Sequence, residues 1–150
     1  MTATKAINQW SCALACLEST LNKHGNPITQ NNIIKAYRPF FHAWQNNQEG
    51  LLSRIEIVYL LELLGYHFSD IIYTNDKGLF ISVFTTHIKS GRYWASFLVL
   101  HQPTNHCNAI VGMCGEELTV MEPDQNTPKI DKMTFAEAQK RDAEYILLCI

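Results

Sequence analysis

Between residues 12 and 24, Leu14, Leu17 and Leu21 recur at the spacing of one helix face, with Ser11 or Asn8 placed to cap the segment and Gly25 to stop it. "NPIT" is a turn, and Thr29 opens a second helix that runs to about Tyr37 and closes at Pro39. "NNQEG" reads as a loop. Ser53 then caps "RIEIVYLLELLG", strongly periodic and stopped at Gly65. After Gly65 the pattern changes. "YHFSDIIY" predicts a strand. "GLFISVFTTHIKSG" mixes β-branched residues with helical length and a terminal Gly91, and its length tips it to helix. "RYWASFLVLH" predicts a buried strand, and "QPTN" a turn. "HCNAIVGMC" and "ELTVME" form a hairpin about Gly115. "PDQNTP" is a loop, "TFAEAQKRD" a short helix with Thr134 and Glu137 at capping-box spacing, and "AEYILLCI" a final apolar strand. Helices come first and strands mostly after, which predicts an α+β fold with a helical lobe packed on an antiparallel sheet.

The length of 150 residues suits one domain over 1–150, and there is no repeat, low-complexity tract or linker to divide it. Hydrophobic content of 47% and charged content of 17% are an ordinary globular balance. A net charge of −2 offers no basic surplus for nucleic acid or an anionic membrane surface, and the apolar runs are too short to span a bilayer. "MTATKAINQW" lacks the apolar segment of a secretory signal, so the expected location is cytoplasmic, or exported without a cleaved signal peptide. The five cysteines, Cys12, Cys16, Cys107, Cys114 and Cys149, are an odd number without a C-x-x-C pair. That predicts free thiols and gives little support to a structural zinc.

One cysteine stands out by position. Cys12 falls in the first turn of its helix, where the macrodipole and free backbone N–H groups favour a thiolate. A single cysteine is more often a small core residue, as Cys16 one turn further on is read to be, so a nucleophilic Cys12 needs a base. His24, His42 and His67 belong with the helical half, His87 with the ambiguous segment, and His101 ends a strand. His106 begins a strand straight after the "QPTN" turn, where its ring can face a cleft. The hairpin that leaves at His106 returns at Glu122, with Asp124 two residues beyond. A carboxylate brought back in this way can fix the imidazole tautomer and stabilise the imidazolium. A metal site built from Cys12, Cys16, His106 and Cys107 is disfavoured, because adjacent strand residues point to opposite faces.

These motifs resemble the papain-like cysteine peptidases, most of all the compact bacterial branch that includes the bacteriocin leader peptidase domains. There the nucleophile opens the first long helix in a pattern near "sCgpaal", which "SCALAC" resembles over Ser11, Cys12, Ala13 and Leu14. Ala13 and Leu14 stand where the family has a small Gly and Pro. "HCNAIVG" is similar to the family's "HyvvvxG", with Gly112 six residues after His106. Glu122-Pro123 takes the place of the usual Asp-Pro pair that ends the next strand, and Asp124 competes for the role of acid. The family's oxyanion Gln stands five or six residues before the Cys. Here Gln9 is three before, so Gln9, Asn8 or backbone N–H groups alone are the candidates.

The resemblance implies a thiol hydrolase, cleaving a peptide or isopeptide bond through Cys12, His106 and Glu122 with no cofactor. Its implied partner is a polypeptide, not nucleic acid or membrane. An acyltransferase using the same three residues, or a non-catalytic binding module on the same fold, are the other readings. Trp10 is expected to staple the first helix rather than wall the cleft. Trp10, Tyr93 and Trp94 together are candidates for an apolar subsite, although each fits a core position equally well.

Overall fold

The computed structural model describes residues 1–150. Its first half is helical: α1 (Cys12–Lys23), α2 (Gln30–Tyr37), a 3₁₀ turn at Arg38–Phe40, the short α3 (His42–Gln45) and α4 (Arg54–Leu63). Then come β1 (Asp70–Thr74), α5 (Lys77–Ser90), β2 (Tyr93–Leu100), β3 (His106–Cys114), β4 (Glu117–Glu122), β5 (Lys129–Thr134), α6 (Phe135–Lys140) and β6 (Glu144–Cys149). The six strands form one sheet in the order β1-β6-β2-β3-β4-β5, and every neighbouring pair is antiparallel.

The local signals act as their chemistry dictates. Thr29 accepts from the Asn32 N–H at the start of α2. Ser53 with Glu56 and Thr134 with Glu137 close capping boxes on α4 and α6. The ambiguous segment is helix α5, capped by Asp76 and ended by Gly91 at φ 72°. Other expectations change. The strand predicted over "YHFSDIIY" begins only at Asp70, because Tyr66 and Phe68 turn inward against Trp94, with ring centroids 4.9 and 5.3 Å away. Strand β5 had no expectation. Its "KIDKMT" is charged and largely exposed, the composition of an edge strand, and lacks a clean apolar alternation. The short α3 and the 3₁₀ turn fall where the pattern gave no helix.

The sheet is covered on both faces, so β2 and β6 are nearly continuous apolar runs. On one face Leu14, Leu17 and Leu21 of α1 pack with Ile57, Leu60 and Leu61 of α4 against Phe97, Ala109, Ile146 and Leu148. On the other, Phe80 and Phe84 of α5 and Phe135 of α6 pack against Leu98, Ile110, Val120, Tyr145 and Leu147. The expected helical lobe is therefore one of two helical layers.

Gly50 fixes how the loop before α4 meets the start of α1. It sits at φ +94°, and a Cβ there would lie 2.7 Å from the Cα of Ser11, the residue before Cys12. Gly50→Ala is expected to lower stability by about 1–3 kcal/mol. A urea-unfolding midpoint equal to wild type would contradict this close approach.

Candidate active site

Cys12 is held in place by the second turn of α1. There the Cys16 thiol is fully buried and donates to the Cys107 carbonyl at 3.4 Å. This ties α1 to β3 one residue from His106. Burial pushes the Cys16 thiol well up, reinforced by its neighbours at Cys107, Cys12 and Glu122, so it stays neutral as part of the core. Cys12 itself is half-buried.

Neither expected capping residue caps α1. The Asn8 N–H donates to Ser11 Oγ at 3.0 Å, the Ser11 hydroxyl donates to the Asn8 carbonyl at 3.1 Å, and Asn8 Oδ1 accepts from the Trp10 N–H at 2.8 Å. The two side chains are spent on their own turn, and no side chain caps the helix. The first-turn N–H groups therefore remain open beside the Cys12 sulfur, a favourable place for an anion. Gln9 is exposed in the same turn and does not line the cleft that Cys12 borders.

His106 begins β3 and Glu122 ends β4. The ladder between these strands contains a bulge: Gly112 faces Thr119 and Cys114 faces Glu117, but beyond Val111 the pairs become Ile110 with Val120 and Ala109 with Met121. One extra residue on β3 moves the register by one. Glu122 thereby comes opposite Asn108 rather than Ala109, and Asn108 shares a strand face with His106. His106 Nε2 is hydrogen-bonded to Glu122 Oε1, and Glu122 Oε2 accepts from Asn108 Nδ2 at 2.9 Å. With Nε2 turned to the carboxylate, Nδ1 is the ring nitrogen left for Cys12, which is near enough to the ring to favour its protonated form. Burial works against the imidazolium, but the hydrogen bonds and charges of Cys12 and Glu122 outweigh it and lift His106 to about 10.

Asp124 stands apart from this arrangement. It is exposed, and its Oδ1 accepts from the backbone N–H groups of Asn126 and Thr127 at 2.7 and 3.0 Å, which holds its carboxyl below the usual range. Of the other histidines, His24 stacks on Trp94 at 4.6 Å and His87 lies 3.8 Å from Asp70, away from the cleft, whereas His101 lies 3.6 Å from Glu144 and lines the same cleft as Cys12 and His106.

Cys12 and His106 border a cleft of about 590 Å³ whose wall includes Trp10, Ala43, Leu51, Leu52 and Val99. Trp10 thus lines the cleft and is absent from the core it was expected to staple. Tyr93 and Trp94 do not reach it. Trp94 is core, and the Tyr93 hydroxyl donates to the Ile110 carbonyl at 3.3 Å. Asn108 carried no expectation from the sequence. Its signal was there: an amide two residues from His106 in an otherwise apolar strand, and in the fold it is fully buried.

A helix-borne cysteine set against a sheet-borne histidine and carboxylate, across a six-stranded antiparallel sheet, defines a papain-like peptidase-domain fold. Among solved structures, the chain is similar to the peptidase domain of Streptococcus ComA, a bifunctional ABC transporter involved in a quorum-sensing pathway. The match has a TM-score of 0.67 at 15% identity, and covers 98% of this chain and 96% of that chain. At this identity the likeness establishes the fold. No protein-family model and no curated protein matches the sequence.

The raised pKa gives a direct expectation. In an ¹⁵N imidazole titration, His106 should stay protonated through neutrality and lose its proton near pH 10, while Glu122→Gln brings the midpoint down. A wild-type midpoint at the ordinary 6.5 would refute the coupling to Cys12 and Glu122.

Proposed function

We propose that this protein is a thiol peptidase in which Cys12 is the nucleophile, His106 the acid–base and Glu122 the residue that orients His106. The observation that carries this reading is His106 placed between a cysteine at an open helix N-terminus and a carboxylate, at the edge of a cleft. The Cys12 thiolate attacks the substrate carbonyl carbon and forms a C–S bond. The imidazolium of His106 gives its proton to the leaving amine as the C–N bond breaks. Neutral His106 then takes a proton from water as it attacks the thioester, and the thiolate leaves. The oxyanion is received by the backbone N–H of Cys12, since Gln9 stands exposed outside the cleft.

The cleft wall of Trp10, Leu51, Leu52 and Val99 supports a polypeptide substrate with an apolar residue near the scissile bond. Digesting a peptide library and mapping cuts by mass spectrometry tests this. Cuts beside apolar residues that vanish in Cys12→Ala are the expected result. No cleavage, together with uptake of an acyl group from a thioester donor, would replace the peptidase with an acyltransferase. Neither activity would leave a binding module.

Iodoacetamide at pH about 6 should label Cys12 ahead of the exposed Cys114, because Cys12 stands at an open helix N-terminus beside a candidate base. Equal labelling would count against the pairing of Cys12 with His106. Glu122→Gln should lower turnover by up to about 10⁴, the loss seen when the acid of a serine-type triad is made an amide. Asp124→Asn should leave turnover near wild type, and a reversal of these two results would move the acid to Asp124.

A further inference from the structure

Asn108 is fully buried, and its same-face neighbours Ile110 and Val120 are apolar core. An amide in such a place is costly unless its polar atoms are bonded, and here only half of it is. Nδ2 donates to Glu122 Oε2 at 2.9 Å, whereas Oδ1 has no partner. A carboxylate accepts and does not donate, so the amide is turned with its nitrogen towards Glu122. Glu122 is an end-of-strand side chain, 26% exposed, with one more rotatable bond than an aspartate. Held by His106 alone, it would be free to swing towards solvent. Held at both oxygens, it has one orientation.

We propose that Asn108 is a positioning residue for the proposed reaction: it fixes one oxygen of Glu122 so that the other meets His106, and this lets a glutamate serve as the orienting acid. The inference rests on the peptidase reading for its kinetic consequences, but not for its geometry. Asn108 does not line the cleft and touches no substrate path. Its removal therefore acts on the chemical step and not on binding. The groups that face the His106 ring are Cys12 from α1 and Glu122 from the end of β4, with the charge of Asp124 just beyond.

Asn108→Val removes the donor and keeps an apolar shape that suits this face. Its kcat should fall by about 10–100-fold, the usual cost of losing a partner that orients a functional histidine or carboxylate, with KM near wild type. The alkaline midpoint of His106 should move to lower pH. In a Glu122→Ala background the same substitution should change neither quantity further, since Asn108 acts through Glu122. An unchanged kcat and midpoint in Asn108→Val, a change in KM alone, or an equal loss in the Glu122→Ala background would overturn the proposal. If circular dichroism shows Asn108→Val unfolded, Asn108→Ala takes the same measurements with the same expected outcomes. If the wild-type chain cleaves no peptide, the peptidase reading falls by itself. The Asn108 inference is then decided by the His106 titration and by Cys12 alkylation against pH, which need no substrate: a shift in Asn108→Val supports it and no shift overturns it.

Discussion

Leu14, Leu17 and Leu21 are completely buried along one side of α1, and the Cys16 thiol is bonded to the backbone of β3 at Cys107. This packing of one helix across one strand is the constraint on which the site depends. Truncating a core leucine to alanine typically costs about 2–5 kcal/mol, so three such anchors leave α1 little freedom to slide. The register of α1 on β3 then decides where its first residue falls. Cys12 is one turn before Cys16, and His106 is one residue before Cys107, so a fixed contact between Cys16 and Cys107 sets the sulfur beside the ring. Gly50 completes the constraint from the other side, since its backbone presses on Ser11 where a Cβ would not fit.

The second constraint is the bulge at Val111. A hairpin turn at Gly115 continued in simple register would bring Glu122 opposite Ala109, whose side chain faces the α1 layer. The extra residue returns Glu122 to the face of His106 and Asn108. The hairpin was legible from "HCNAIVGMCGEELTVME", and so was the return of a carboxylate near His106. The bulge was not, because nothing in the apolar run marks one residue as unpaired; and since Glu122 and Asp124 keep the same face in either register, counting could not separate them, which takes the turn that Asp124 closes with Asn126 and Thr127. Elsewhere legibility has the same logic. Periodic helices with side-chain caps, such as α2, α4 and α6, were readable because the signal is local. Strand β5 was not, since its place at the sheet edge comes from pairing with β4 and not from its own pattern. Ser11 and Trp10 differed from expectation for one reason. The turn formed by Asn8 and Ser11 closes on itself, leaving the helix uncapped and Trp10 at the cleft.

The electrostatics of the site depend on where each charge lies relative to the core. Cys16 is deep and stays neutral, whereas His106 is near enough to the surface to be charged, but only because Cys12 and Glu122 oppose the cost of its burial. Asp124, although two residues from Glu122, is committed to the backbone of its own loop. Two carboxylates close in sequence are thus given different tasks by their hydrogen bonds. One organises a turn, and the other is left with an oxygen for the imidazole.

An aspartate and a glutamate are not interchangeable as orienting acids. The longer side chain has further to reach and loses more rotamer freedom when fixed, by a fraction of the roughly 1.5–2 kcal/mol that a long polar side chain gives up on ordering. A single hydrogen bond at a partly exposed site returns about as much as that ordering costs, so it would hold the glutamate only part of the time. Two bonds, one to each oxygen, tip the balance towards one conformation. The strand geometry makes the second bond available from Asn108, on the same face and directly across the ladder. The orphaned Oδ1 of that amide shows that the fold accepts an unpaired buried acceptor at this position. Packing alone would favour an apolar residue there, as at Ile110 and Val120 on the same face. The amide is accounted for by what its nitrogen holds.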